Sequence, residues 1–120
     1  MARFEIQGKE YELKLDFKAL TEVDKLYNSP LEFVGKVFGG SLDAFVDVVY
    51  FGLMHSDKGF ARKTVVKEIE QAINDEKMNF TDVLKIGKEV VTESFFFKET
   101  VQKMMKNNPQ AMEQLSMLTE

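Results

Sequence analysis

Asp43 and Asp47 stand one helical turn apart in a segment that is otherwise almost wholly apolar. Two carboxylates at that spacing could hold a hard cation or share a proton. Both functions need a further partner in phase, and neither a third oxygen ligand nor a catalytic base is there. The pair therefore reads as the solvent face of its helix. His55 closes the same segment and could act as a general base. Its position near the last carbonyls of a helix accounts for it more simply. Ser56 and Asp57 beside it are sequence neighbours and not a relay, which needs a spatial arrangement and an oxyanion hole. Gly39-Gly40-Ser41 precedes a helix start, where backbone amides can hold an anion. No GxxxxGK[ST] or GxGxxG pattern surrounds it, and Asp43 would oppose a phosphate. A helix stop followed by a cap is the reading that remains.

The stronger signal is apolar. Phe95, Phe96 and Phe97 are consecutive, and three successive residues cover about 200° of a helix. On one continuous wheel from Phe80, the residues Val83, Val90, Val91, Val101, Met104 and Met105 share a stripe. Phe95 and Phe97 flank that stripe, and Phe96 falls on the opposite face among Lys85, Glu89 and Glu93. Two outcomes remain. Either the helix breaks near Ser94 and the phase resets, or it continues and leaves Phe96 for a partner; a third option folds Phe96 under the N-terminal segment. Met104, Met105, Met112 and Met117 share this end of the chain. Met is pliable and suits surfaces that repack on apolar partners, although it also fills cores. Phe95, Phe96, Phe97, Val101, Met104, Met105, Met112 and Leu115 are accordingly the candidate partner-binding residues.

The elements that must position them follow from periodicity. Residues 3–15 alternate polar and apolar on both sides of Gly8-Lys9, which predicts a β-hairpin with a Gly-x, type II′-like turn. A lone hairpin is marginal in water, so its apolar face must lie on something else. Everything after Asp16 reads as helix. Asp16 caps a helix showing Phe17, Leu20, Val23, Leu26 and Tyr27. Ser29, Pro30 and Glu32 open a short one showing Leu31, Val34, Val37 and Phe38, stopped by Gly39-Gly40. Ser41 starts a third, Leu42 to about His55, apolar over so wide an arc that it belongs at the centre of a bundle. Gly52 within it is the place for a close crossing. Thr64 to Asn74 is a fourth helix. Asn79 and Asp82 cap a fifth, with Met78 stapled onto Val83, running from Phe80 to about Asn107. Asn107-Asn108-Pro109 ends it, and residues 108–120 form a tail with enough apolar residues for a short helix. The expectation is a mainly α fold: one domain over 1–120, with a hairpin at 3–15 packed on a bundle of about five helices at 17–107.

Composition narrows function by exclusion. The chain has 120 residues, 44% hydrophobic and 30% charged, with a formal net charge of -4. It is too apolar to be disordered. With no Cys and one His, disulfide frameworks, thiolate metal sites and most His-based arrangements drop out. Each third of the chain carries slightly more acids than bases. The basic stripe of a nucleic-acid binder is missing. The longest apolar run, around Phe45–Met54, is too short to span a bilayer. The start, Met1-Ala2-Arg3-Phe4-Glu5, lacks an apolar signal core. The expectation is no cofactor, no metal, no nucleic acid, no membrane, and a cytosolic location.

The opening Phe4-Glu5-Ile6-Gln7-Gly8-Lys9-Glu10-Tyr11-Glu12-Leu13-Lys14-Leu15-Asp16-Phe17-Lys18-Ala19-Leu20 joins a hairpin to a helix. With the apolar Ser41–His55 helix and the Asn79–Phe97 segment, it resembles the tail assembly chaperones of long-tailed bacteriophages infecting Gram-positive bacteria, over about residues 3–100. The resemblance implies a non-enzymatic protein in the cytoplasm of the bacterial host. Such a protein coats the long, aggregation-prone tape measure protein, helps recruit tail tube subunits, and then leaves. It also implies that such proteins are often made in two forms, the longer by a shift of reading frame; this chain would be the shorter form or a relative without a longer one. No binding residue carries over, because the family pattern is structural. The alternative is a small interaction module that homo-oligomerises through the same apolar surface and has no client. A small enzyme would need a deep polar pocket joining Asp43, Asp47 and His55.

Overall fold

The computed structural model describes residues 2–56 and 58–107, and gives the backbone alone at Pro30, Phe95, Thr100 and residues 104–107. The chain starts as an antiparallel hairpin, β1 (Arg3–Ile6) and β2 (Lys9–Glu12). Its register pairs Phe4 with Tyr11 and Ile6 with Lys9. The turn is Gln7-Gly8, one residue earlier than the alternation implied. Both residues have positive φ, 52° and 80°, which makes the connection type I′. That type matches the right-handed twist of the strands and needs a glycine or a tolerant polar residue at each position. Register puts Glu5 opposite Glu10, a like-charge pair. Arg3 reaches diagonally to Glu10 at 3.5 Å and relieves it.

Six α-helices follow among the described residues: α1 (Phe17–Leu26), α2 (Pro30–Phe38), α3 (Leu42–Gly52), α4 (Arg62–Asn74), α5 (Phe80–Glu93) and α6 (Phe95–Asn107). The chain is mainly α with an N-terminal hairpin, as its periodicity implied. The expected caps are present. Asp16 Oδ1 accepts from the Ala19 amide at 2.9 Å, and Ser29 Oγ from Glu32 at 3.1 Å. Ser41 Oγ accepts from Ala44 at 3.3 Å. Asn79 and Asp82 complete a reciprocal box. At α2 only half a box forms, because the Glu32 carboxylate turns to Lys36 at 3.6 Å. Gly40, at φ 79°, is the left-handed residue of a Schellman stop: its amide donates to Val37 and the Ser41 amide to Lys36. Ser41 thus ends one helix and caps the next.

The core forms around α3, which packs against α1, α2, α4 and α5. Ala44, Phe45, Val48, Val49 and Phe51 are all buried on it, so its wide apolar arc is satisfied from several sides. Gly52 allows the predicted crossing. The Lys14 amide donates to the Gly52 carbonyl at 3.0 Å, and a Cβ at Gly52 would meet Leu13 Cβ at 3.1 Å. Through this contact the hairpin lays Phe4, Ile6, Leu13 and Leu15 into the shared core. His55 lies in a 3-10 turn after α3 (Met54–Ser56). Its Nε2–H donates to the Glu12 carbonyl at 2.8 Å, so His55 ties down the end of β2 instead of capping α3.

Two helices depart in part from the expected face: Val23 on α1 and Val34 and Val37 on α2 are buried as expected, but Phe17, Leu26 and Leu31 are exposed. On α1 the core face is set by Ala19 and Val23, both buried, while Phe17 is 82% exposed. On α2 it is Phe33, Val34 and Val37 that are buried, and Leu31 is exposed. Phe33 is fully buried and touches the rings of Tyr27 and Phe97 at centroid distances of 5.0 and 5.9 Å. The long C-terminal helix divides at Ser94, whose extended backbone (ψ 117°) separates α5 from α6.

Candidate functional site

The carboxylates singled out for chemistry are not a site. Asp43 is exposed, whereas Asp47 is 3% exposed, which corrects the reading of both as a solvent face. Asp47 Oδ2 accepts from Tyr27 Oη at 2.6 Å, and Oδ1 is held by the Arg62 guanidinium. A buried carboxylate is tolerable when it is paired and hydrogen-bonded in this way. Burial first, then the hydrogen bond to Asp47, push the Tyr27 phenol well above its ordinary pKa. It therefore stays protonated and donates. The three residues pin the end of α1 and the start of α4 to the middle of α3. His55 is engaged with Glu12. No three His, Cys, Asp or Glu side chains among the described residues are grouped to hold a metal. No single described helix is long and apolar enough to cross a membrane.

The apolar candidates divide sharply. Phe97 and Val101 are 1% and 2% exposed and belong to the core. The break at Ser94 resets the phase so that α6 turns these two inward against α5 and α2. Phe96 remains outside at 60% exposure, with its ring edge-on to Phe97 at 5.1 Å. The first outcome posed by the sequence holds, since the helix breaks at Ser94, and Phe96 is exposed despite that break. Met104 and Met105 lie on α6; their side chains and that of Phe95 lie outside the described residues, as do Met112 and Leu115 entirely.

Phe96 does not stand alone. Across from it on α1 is the exposed Phe17, with half-buried Leu20 between. Together they border two adjoining hollows. One, of about 300 Å³, is walled by α1 and α6 and includes Thr21, Asp24 and Phe97. The other, of about 450 Å³, runs towards the exit of the hairpin and includes Leu15, Val90 and Ser94. The result is a two-lobed, largely apolar groove with an aromatic ring on each lip. Ser94 is 7% exposed, and its Oγ has no hydrogen-bond partner among the described residues.

The chain's layout can now be set beside known proteins. The sequence model of a family described as phage tail assembly chaperone protein matches residues 3–106. The chain belongs to that family. Neither curated proteins nor solved structures yield a match. The match reaches from the first strand to the end of α6, so it takes in both walls of the groove. A tail assembly chaperone works on other phage proteins in the host cell. The arrangement offers apolar area, shape and a few polar atoms for recognition.

Sequence reasoning missed Phe17, Leu20 and Asp24 as neighbours of Phe96. It assigned Phe17 to the core by its spacing from Leu20. The signal that could have corrected this is Ala19. As a small residue it weighs little in a pattern of large ones, yet with Val23 at i+4 it marks the buried side of α1. Phe17 lies roughly 160° round the helix from Ala19, on the outer side. Tyr27 and Arg62 were missed as partners of Asp47, since nothing local in the sequence joins them.

Proposed function

We propose that this tail assembly chaperone binds the tape measure protein through the groove bounded by Phe17, Leu20 and Phe96, shields it from aggregation, and assists assembly of the tail tube. The observation that carries the reading is the exposure of two large aromatic residues, Phe17 at 82% and Phe96 at 60%, on the two lips of one groove. Large apolar side chains left in water on both walls of a concavity mark a place for a partner. Phe97, buried beneath, meets the Phe96 ring edge-on at 5.1 Å and supports it. A tape measure protein is long and helical, and a groove between helices accepts the apolar face of an amphipathic helix. Modest affinity at each site, repeated along a long client, gives a coat that holds through avidity and is still displaced piece by piece.

Co-expression with the tape measure protein tests this. The wild-type chain is expected to keep the client in the soluble fraction. The double substitution Phe17→Ser with Phe96→Asp is expected to lose that effect while remaining folded, because exposed positions change stability by only about 0.5 kcal/mol. A client that is equally soluble with the wild-type and the doubly substituted chain would overturn the assignment of the groove.

A further inference from the structure

The groove is not electrically neutral. Among the described residues its charged lining is Glu12, Asp24 and Glu93, the last already engaged in an interaction of its own, against Lys14. Among the described residues, Asp24 is the one charged residue in the lobe between α1 and α6. It is exposed and makes no ion pair with a described residue. It lies on the same side of α1 as Phe17, Leu20 and Thr21, within the apolar strip a partner would cover. Lys18 and Lys98, the bases next to Phe17 and close to Phe96 in sequence, line neither lobe. A partner lying across this strip would cover Asp24 and strip water from it. That costs free energy unless the partner brings a cation or a strong donor. The same carboxylate repels a partner whose apolar stripe is edged with acids.

We infer that the groove selects a basic amphipathic helix: an apolar stripe at i, i+3, i+4 and i+7 seated between Phe17 and Phe96, with a Lys or Arg beside it that meets Asp24. This rests on the reading of the groove as the client site and adds the chemistry of the segment that fills it. Within a long client, it picks out the helical stretches whose apolar face is bordered by Lys or Arg and passes over those bordered by Glu.

Two designed helical peptides of about 18 residues test it, carrying the same Leu stripe and flanked in one by Lys and in the other by Glu. Both are titrated by fluorescence anisotropy against the full chain, the Asp24→Lys variant and the Phe96→Asp variant, each checked for helicity by circular dichroism. The wild-type chain is expected to bind the Lys peptide roughly three- to tenfold more tightly than the Glu peptide, the range that one exchanged attraction and repulsion gives at a groove edge. The preference is expected to shrink at about 0.5 M salt and to reverse in Asp24→Lys. Phe96→Asp is expected to weaken both peptides. If both peptides bind the wild-type chain equally and Asp24→Lys changes nothing, the charge selection is wrong, while loss of both in Phe96→Asp still upholds the groove as a binding site. If neither peptide binds and the chain forms a dimer that Phe96→Asp dissociates, the groove belongs to a second copy and the inference is overturned. Binding that arises only once residues 108–120 are removed would assign the groove to the chain's own tail and overturn it as well.

Discussion

Asp47 shows how a single residue changes meaning between sequence and structure. On its own helix it looks like one of a pair of outward-facing acids. In the fold it accepts from Tyr27 and Arg62, twenty and fifteen positions away. Those partners are supplied by tertiary packing, and no local pattern announces them. Because Arg62 is itself about half exposed, its loss of a partner is softened by water. Asp47→Ala is therefore expected to cost about 1–3 kcal/mol, the range for deleting a buried, charge-assisted acceptor, as read from urea denaturation. Tyr27 adds a pH dependence. Its folded-state pKa is raised, first by burial and then by Asp47. Its contribution is thus fully present below the unfolded phenol value of about 10 and is lost as pH rises beyond it. Denaturation midpoints at pH 8 and pH 10.5 should fall more steeply for the wild-type chain than for Tyr27→Phe; equal falls would remove Tyr27 from the account. Ser94 has the opposite character. Its buried Oγ has no partner among the described residues, so Ser94→Ala is expected to be neutral or stabilising by up to about 1 kcal/mol.

At the scale of elements, local chemistry decides where helices begin and end, and long-range packing decides which way they face. The caps at Asp16, Ser29, Ser41 and Asn79 were legible because a cap is satisfied within three residues of itself. The crossing at Gly52 was legible because a glycine inside a strongly apolar helix has few other uses. Facing was legible only in part. The place of Ala19 in the buried face of α1 and of Phe33 in that of α2 depends on what α3 and α6 offer across the interface, and large exposed residues such as Phe17 and Leu31 mislead a wheel built from size alone. The hairpin turn was misplaced by one residue because Gln7 takes a left-handed conformation that side chains of its type seldom adopt. Gly52→Ala is expected to destabilise by about 1–3 kcal/mol. The new Cβ would press on Leu13 Cβ, which is fixed to the backbone and cannot swing aside. A thermal melt unchanged within a degree would show that the hairpin gives way at no cost.

For the whole molecule, the division at Ser94 has the largest consequence. A continuous helix would have placed Phe96 opposite its own core-facing stripe, far from any fixed neighbour. The break turns Phe97 and Val101 inward and brings Phe96 into line with α1. The candidate surface was therefore half legible. Sequence showed that three consecutive Phe cannot share one core, and the fold decides which of them stays outside and what stands opposite it. The opposing lip, Phe17, came from the other end of the chain, beyond the reach of any local periodicity. Hydrogen exchange on the complex with tape measure protein tests the central claim most directly. Residues 17–24 of α1 and 94–101 of α6 should gain protection when the client is added, and Phe96→Asp should remove that gain. Protection confined to the starts of α3 and α5, at Leu42 and Phe80, with residues 17–24 and 94–101 unchanged, would contradict it.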